Sequence, residues 1–174
     1  MSTYQFSLVL AGFSELSDEI EEALFQAGCD DALLGIREGT PFLDFDREAP
    51  SALEAVLSAI EAAERVQGVE VSRVGPDDLV SAAEIGERTG RSRESVRLLA
   101  IGKRGPGGFP TPVANLKHRT RFWRWADVAA WFVEHGLLKP DSVVQQARCI
   151  AVVNGALELR RSQQQNEVLE RLVG

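Results

Sequence analysis

The chain has 174 residues, 44% of them hydrophobic, and carries a formal net charge of −7. That length holds one ordinary domain or two small ones, and no apolar run approaches the roughly 20 residues of a membrane span. The charge is segregated, −13 over residues 1–80, +7 over 81–125 and −1 over 126–174, so the acidic total does not exclude a nucleic-acid partner.

From the N-terminus, YQFSLVL alternates with Tyr4, Phe6, Leu8 and Leu10 on one face, the pattern of a half-buried strand. The start MSTYQFSLVL lacks the basic residues and small-residue cleavage site of a signal peptide. Residues 15–27 place Leu16, Ile20, Ala23, Leu24 and Ala27 on one helical stripe, with acids in the first turns and Gly28 as terminator. ALLGIR and TPFLDFD flank Glu38-Gly39 and predict a hairpin. Ser51 and Glu54 form a capping-box pattern for a second helix, with Leu53, Val56, Leu57 and Ile60 expected inward and Gly68 ending it. VEVSRV completes a β-α-β-β-α-β order over residues 1–75, that of a ferredoxin-like domain, and Gly75-Pro76 marks its boundary.

The basic segment opens with a second Ser/Glu capping pair, Ser81 and Glu84, which predicts a helix from Ala82 to about Arg88. Thr89-Gly90-Arg91 breaks it, and Ser92 is placed to cap a second helix over about 93–101, stopped by Gly102. Ile85, Val96 and Leu99 supply contacts between the two, and Gly86 allows close approach. A helix, a glycine turn and a second helix make a helix-turn-helix. FPTPV and RFWRW are expected as the strands of a wing hairpin around 115–120, followed by a helix from Ala126 to about Glu134. Trp123, Trp125, Trp131 and Phe132 are expected in the core, because a module this small needs large apolar side chains to close it.

The stretch VSAAEIGERTGRSRESVRLLAIGKRGPGGFPTPV…RFWRWADVAAWF resembles the winged helix-turn-helix of the excisionase, AlpA-like branch of the MerR superfamily over about residues 79–133. The shared features are an AEI first helix, a glycine turn, an S…SV second helix, a G…FP.PV approach to the wing and an RW…VAAW exit. The resemblance implies a DNA-binding domain over 79–136; the KRGPGG run and the N-terminal domain are additions to that pattern. Beyond it, residues 141–172 have helical composition, with Val143, Ala147, Ile150 and Leu157 roughly in heptad and Asn154, Arg161 and Gln164 interrupting. A dimerising helix, a helix folded back on its own domain, and two helices split at Asn154-Gly155 all fit this C-terminal helical segment. The fold class expected is therefore α+β.

On a helix-turn-helix the start of the second helix reaches base edges while nearby cations neutralise phosphates. Arg91, Ser92, Arg93, Glu94, Ser95 and Arg97 occupy that region. Arg93 and Arg97 are the favoured base or phosphate contacts, Ser92 the cap, and Glu94 a holder for an arginine. Lys103 and Arg104 follow into the glycine-rich turn, and Lys117, Arg119 and Arg121 on the wing suit an adjacent phosphate or the minor groove. GKRGPGG lacks the GxxxxGK[ST] order of a phosphate loop. The only histidines are His118 and His135, the acids of DFDRE have no histidine or cysteine nearby in sequence, and Cys29 and Cys149 have no metal-type spacing. No catalysis, cofactor or metal is expected, and the cysteines are expected to be reduced core residues.

The chain is thus expected to be a cytoplasmic, sequence-specific binder of double-stranded DNA, a homodimeric transcriptional regulator. Its acidic N-terminal domain is open to a regulatory ligand or a protein partner. Two other readings are an excisionase-like factor that bends DNA and an antitoxin whose acidic domain binds a protein.

Overall fold

The computed structural model describes residues 1–139, 143–164 and 171–172. Two compact units divide the chain: Met1–Pro76 together with Cys149–Gly174, and Asp77–Arg148. Both α-helix and antiparallel sheet are present, so the chain is of mixed α+β class.

In the first unit, β1 (Ser2–Ala11) buries Phe6, Leu8 and Leu10 on the face that its alternation predicts. Helix α1 (Asp18–Gln26) starts at Ser17, whose Oγ accepts the Ile20 N–H at 3.2 Å, and Asp18, Glu19 and Glu21 sit at its electropositive end. Leu24 is its buried anchor, whereas Leu16, expected on the same stripe, lies before the helix and is exposed. Strands β2 (Ala32–Arg37) and β3 (Thr40–Ala49) form the expected hairpin, with Glu38 (φ 50°) and Gly39 (φ 76°) both left-handed, as a two-residue turn between right-twisted strands requires. The sheet is completed by β4 (Glu70–Gly75) in the order β2-β3-β1-β4, every neighbour antiparallel.

Between β3 and β4 runs α2 (Ala52–Glu64), capped by Ser51 Oγ accepting the Glu54 N–H. Its inward face is not the leucine stripe that periodicity suggests. Val56 and Ile60 are buried with Ala52, Ala55, Ala59, Ala62 and Ala63, while Leu53 and Leu57 are 46% and 40% exposed. Methyl side chains let the helix lie close on its neighbours, where leucines in the same row would overpack.

A charged group also stands in this apolar setting. Arg47 on β3 points to the core face and is only 9% exposed. Its Nε and a terminal nitrogen donate to both carboxylate oxygens of Asp31 at 2.8 and 2.7 Å, and it also donates to Gly28 O and to Ser58 Oγ. The guanidinium lies 4.7 Å from the Phe45 ring centroid, and the Asp31 hydrogen bonds raise its pKa further. Both cysteines are free thiols. Cys29 is buried, which pushes its pKa up to about 11, and Cys149 is half-buried and shifted in the same direction for the same reason.

The second unit opens with β5 (Leu79–Val80) and α3 (Ala82–Thr89). Ser81 and Glu84 cap α3 reciprocally: Ser81 Oγ accepts the Glu84 N–H, and Glu84 Oε2 accepts the Ser81 N–H at 2.6 Å. After Gly90 (φ 67°) comes α4 (Arg93–Ala100), with Ser92 Oγ accepting the Ser95 N–H at 3.1 Å. The two helices meet at Gly86, whose carbonyl accepts the Arg91 N–H at 2.8 Å and where a Cβ would lie 2.5 Å from Arg91 O. Because backbone cannot yield as a side-chain end can, Gly86→Ala is expected to cost about 1–3 kcal/mol of stability. A urea midpoint unchanged from the parent protein would contradict this.

The hairpin expected around residues 115–120 is reduced to a short antiparallel contact. The Val113 N–H that ends FPTPV donates to Phe122 O at 2.8 Å, the next residue forms the bridge Ala114↔Phe122, and β6 (Trp123–Arg124) pairs with β5. Pro110 and Pro112 have no N–H to extend a ladder, and the Trp123–Arg124 segment has Leu79–Val80 as its partner. Helix α5 (Trp125–Glu134) starts one residue before the expected position. Trp123, Trp125, Trp131 and Phe132 are all buried, as expected, with Phe109 edge-on to Trp123, Trp131 and Phe132. Both indole donors next to Phe109 are satisfied: Trp123 Nε1 donates to Pro110 O and Trp131 Nε1 to Gly107 O, so the glycine-rich run folds over the tryptophans.

Helix α6 (Val143–Gln163) continues through Asn154-Gly155 without a break. Ala147 is buried in the second unit's core, whereas Ile150, Val153 and Leu157 are buried in the first unit's core. From Cys149 onward the helix belongs to the first unit and packs one face into its core. Residues 141, 142 and 165–170 of the expected segment lie outside the described residues. Asn154, 4% exposed, accepts the Val74 N–H at 2.8 Å and donates to Val74 O at 2.9 Å. Arg160 donates to both Glu64 carboxylate oxygens (3.0 and 2.7 Å) and to Val71 O, while Glu64 Oε1 accepts the Val71 N–H. Side chains thus take the outward peptide groups of edge strand β4.

Candidate nucleic-acid interface

Spacing alone puts Arg93, Arg97, Ala100 and Ile101 on one face of α4 and its C-terminal residue, since i, i+4, i+7 and i+8 recur along a helix. In the second unit that face is one wall of a groove of about 390 Å³. The opposite wall is the segment His118–Arg121, and Ser81, Ala82, Ala83 and Trp123 line the rest. The segment reverses direction at Asn115 (φ 61°), where the His118 N–H reaches Asn115 O at 3.0 Å. Four guanidinium-bearing side chains, Arg93, Arg97, Arg119 and Arg121, therefore share one concavity, and all four are exposed.

Arg97 is not idle in that setting. Its Nε and a terminal nitrogen donate to the two Glu94 oxygens at 2.8 and 2.7 Å, a bidentate pair one turn apart. Arg97 holds the Glu94 carboxyl below its usual range, and the carboxylate raises the arginine in turn. The expectation that Glu94 fixes an arginine is met in this geometry.

The other expected contacts are dispersed. Arg91 does not face the groove: it is half-buried, its guanidinium stands 5.4 Å from the Phe132 ring centroid, and its Nε is buried without a hydrogen-bond partner among the described residues. The turn that brings Arg91 O against Gly86 sets this side chain beside Phe132. Ser92 is the α4 cap, and Ser95, half-buried, supplies the N–H that the cap accepts. Lys103 and Arg104 are exposed past the end of α4, where both N–H groups donate to Leu98 O, and Lys117 is exposed beside the groove wall without lining it. Sequence reasoning missed the apolar lining, Ala82, Ala83, Ala100 and Ile101. The helical spacing from Arg93 to Ile101 carried that signal for the last two.

Elsewhere, two of the three DFDRE carboxylates are held by neighbours on the sheet: Asp44 accepts from Ser7 Oγ at 2.6 Å and Asp46 from Gln5 Nε2 at 2.8 Å. Among the described residues no three His, Cys, Asp or Glu side chains cluster as a metal site would need, and no helix is long and apolar enough to cross a membrane. Comparison with protein-family models, with curated proteins and with solved structures finds no match for the chain.

Proposed function

We propose that the chain is a sequence-specific DNA-binding regulator that uses residues 79–136 as a winged helix-turn-helix and residues 1–75 as a ferredoxin-like domain. The strand order β2-β3-β1-β4 with every neighbour antiparallel supports the second part, because a split βαβ arrangement produces it. The left-handed Gly90 between two capped helices supports the first. The observation that carries the reading is the groove in which two arginines of α4 face two arginines of residues 119–121. Such a pair of basic walls suits a nucleic-acid backbone running beside an inserted helix. Binding as a homodimer to two half-sites would supply the contacts that one small module lacks.

The test is selection of bound duplexes from a random pool, followed by salt titration of variants on selected and scrambled sites. Arg93→Ala is expected to cost about 1–3 kcal/mol on the selected site and relax preference at one position. Arg119→Ala is expected to weaken all duplexes alike and reduce the salt slope by about one unit. Glu94→Gln releases Arg97 and is expected to tighten binding to both selected and scrambled duplexes. Failure to enrich any sequence, with no duplex retained at about 50 mM salt, would overturn the reading.

A further inference from the structure

Contact with a duplex backbone calls for a polar, basic surface, and this groove supplies one that is not wholly polar. Its interior presents Ala82, Ala83, Ala100 and the half-exposed Ile101, with Trp123 also part of the lining. Apolar walls with a few convergent charged groups, in a recess of about 390 Å³, are the features of a small-molecule site. The charged groups are all of one sign. Arg93, Arg119 and Arg121 make no ion pair among the described residues, so their hydrogen-bond forks are open to a ligand. A guanidinium fork matches a phosphate or carboxylate in two-point fashion, and several around one recess favour an anion over a neutral ligand.

We propose that this groove binds a small amphipathic anion, a flat apolar ring bearing one phosphate or carboxylate, and that its occupant and DNA exclude each other. The ring would lie on Ala82, Ala83, Ala100 and Ile101, and the anionic group would meet the arginines at the rim. The exclusion rests on the DNA-binding reading, since it requires the same arginines in both complexes; binding of the small anion does not.

The experiment is calorimetry on the full chain with 1-naphthyl phosphate as probe, and with inorganic phosphate and 1-naphthol as its separate halves. One equivalent of the naphthyl phosphate is expected to bind at least about tenfold more tightly than either half, because ring burial and charge recognition act together. Ala83→Phe, at an exposed helix position, fills the recess without changing charge and is expected to weaken the probe by about tenfold or more. Arg121→Gln, also at an exposed position, is expected to bring naphthyl phosphate close to naphthol. Equal binding of naphthyl phosphate and inorganic phosphate, or an unchanged affinity in Ala83→Phe, would overturn the site. Excess probe is expected to release a bound duplex; probe and duplex bound together would overturn the exclusion. A chain that takes the probe but no duplex overturns the DNA reading while upholding the small-anion site.

Discussion

A chain ending at Arg148 is expected to lose the cooperative fold of its first unit. Ile150, Val153 and Leu157 would be removed from that core, and each such side chain contributes about 1.5–3 kcal/mol when fully buried. The same cut strips Asn154 from Val74 and Arg160 from Val71, leaving the edge of β4 without those partners. Together these losses are on the order of 5 kcal/mol or more, comparable with the whole stability of an ordinary domain. Urea unfolding followed by far-ultraviolet dichroism is the measurement, with amide exchange at β4 as the local readout. An unchanged midpoint with β4 still protected would mean that α6 is not structural. Asn154→Leu is the milder form, expected to cost about 1–3 kcal/mol through the stranded Val74 groups. By the same physics, a fragment meant to isolate the basic unit should stop at Arg148, because one running to Gly174 carries an apolar stripe with no core to enter.

Arg47→Ala is the second large effect, about 3 kcal/mol or more lost from the first unit. The substitution leaves Gly28 O and Asp31 without their shared donor, and it opens a space beside Phe45 and Ser58. Asp31 is 32% exposed on its side chain, so water recovers part of its loss; the cost therefore sits at the lower end for a broken buried pair. Arg47→Lys is expected to restore only a minor share, since an ammonium cannot give Asp31 two parallel hydrogen bonds while reaching Gly28 O and Ser58. Equal stability of the lysine and arginine proteins would show that charge alone suffices. Equal stability of the alanine protein would show that the network adds nothing net.

What the sequence disclosed was whatever is decided within a few residues. Ser81 with Glu84, Ser92 ahead of α4, and the alternation of Phe6, Leu8 and Leu10 are contacts between near neighbours, and each stands where spacing puts it. The arginines of the groove were half legible for the same reason: Arg93 and Arg97 share a helix face by periodicity, but their meeting with Arg119 and Arg121 is a long-range event. On α2, periodicity gave a direction yet could not choose between adjoining rows, and the alanine row lay inward because it fits more closely. Asn154 read as an interruption of a heptad, since its partner Val74 is 80 residues away. Arg91 stands beside two other arginines in the sequence, and nothing in that run discloses that its guanidinium lies 5.4 Å from the Phe132 ring centroid. Nothing in the acidic run announced that Arg47 is buried and its charge neutralised within the fold.

The side chains along β4 also bear on self-association. A sheet grows by lending the free peptide groups of an outer strand to another chain, and Asn154, Glu64 and Arg160 already occupy such groups at Val71 and Val74. The carboxamide of Asn154 acts there as a one-residue stand-in for a fifth strand, ending the ladder from within the molecule. Of the two outer strands only β2, six residues long, keeps a margin without such a cover among the described residues. Propagation into a fibril needs two open margins on every molecule, so this sheet can join one copy at β2 but is blocked from passing the pairing on.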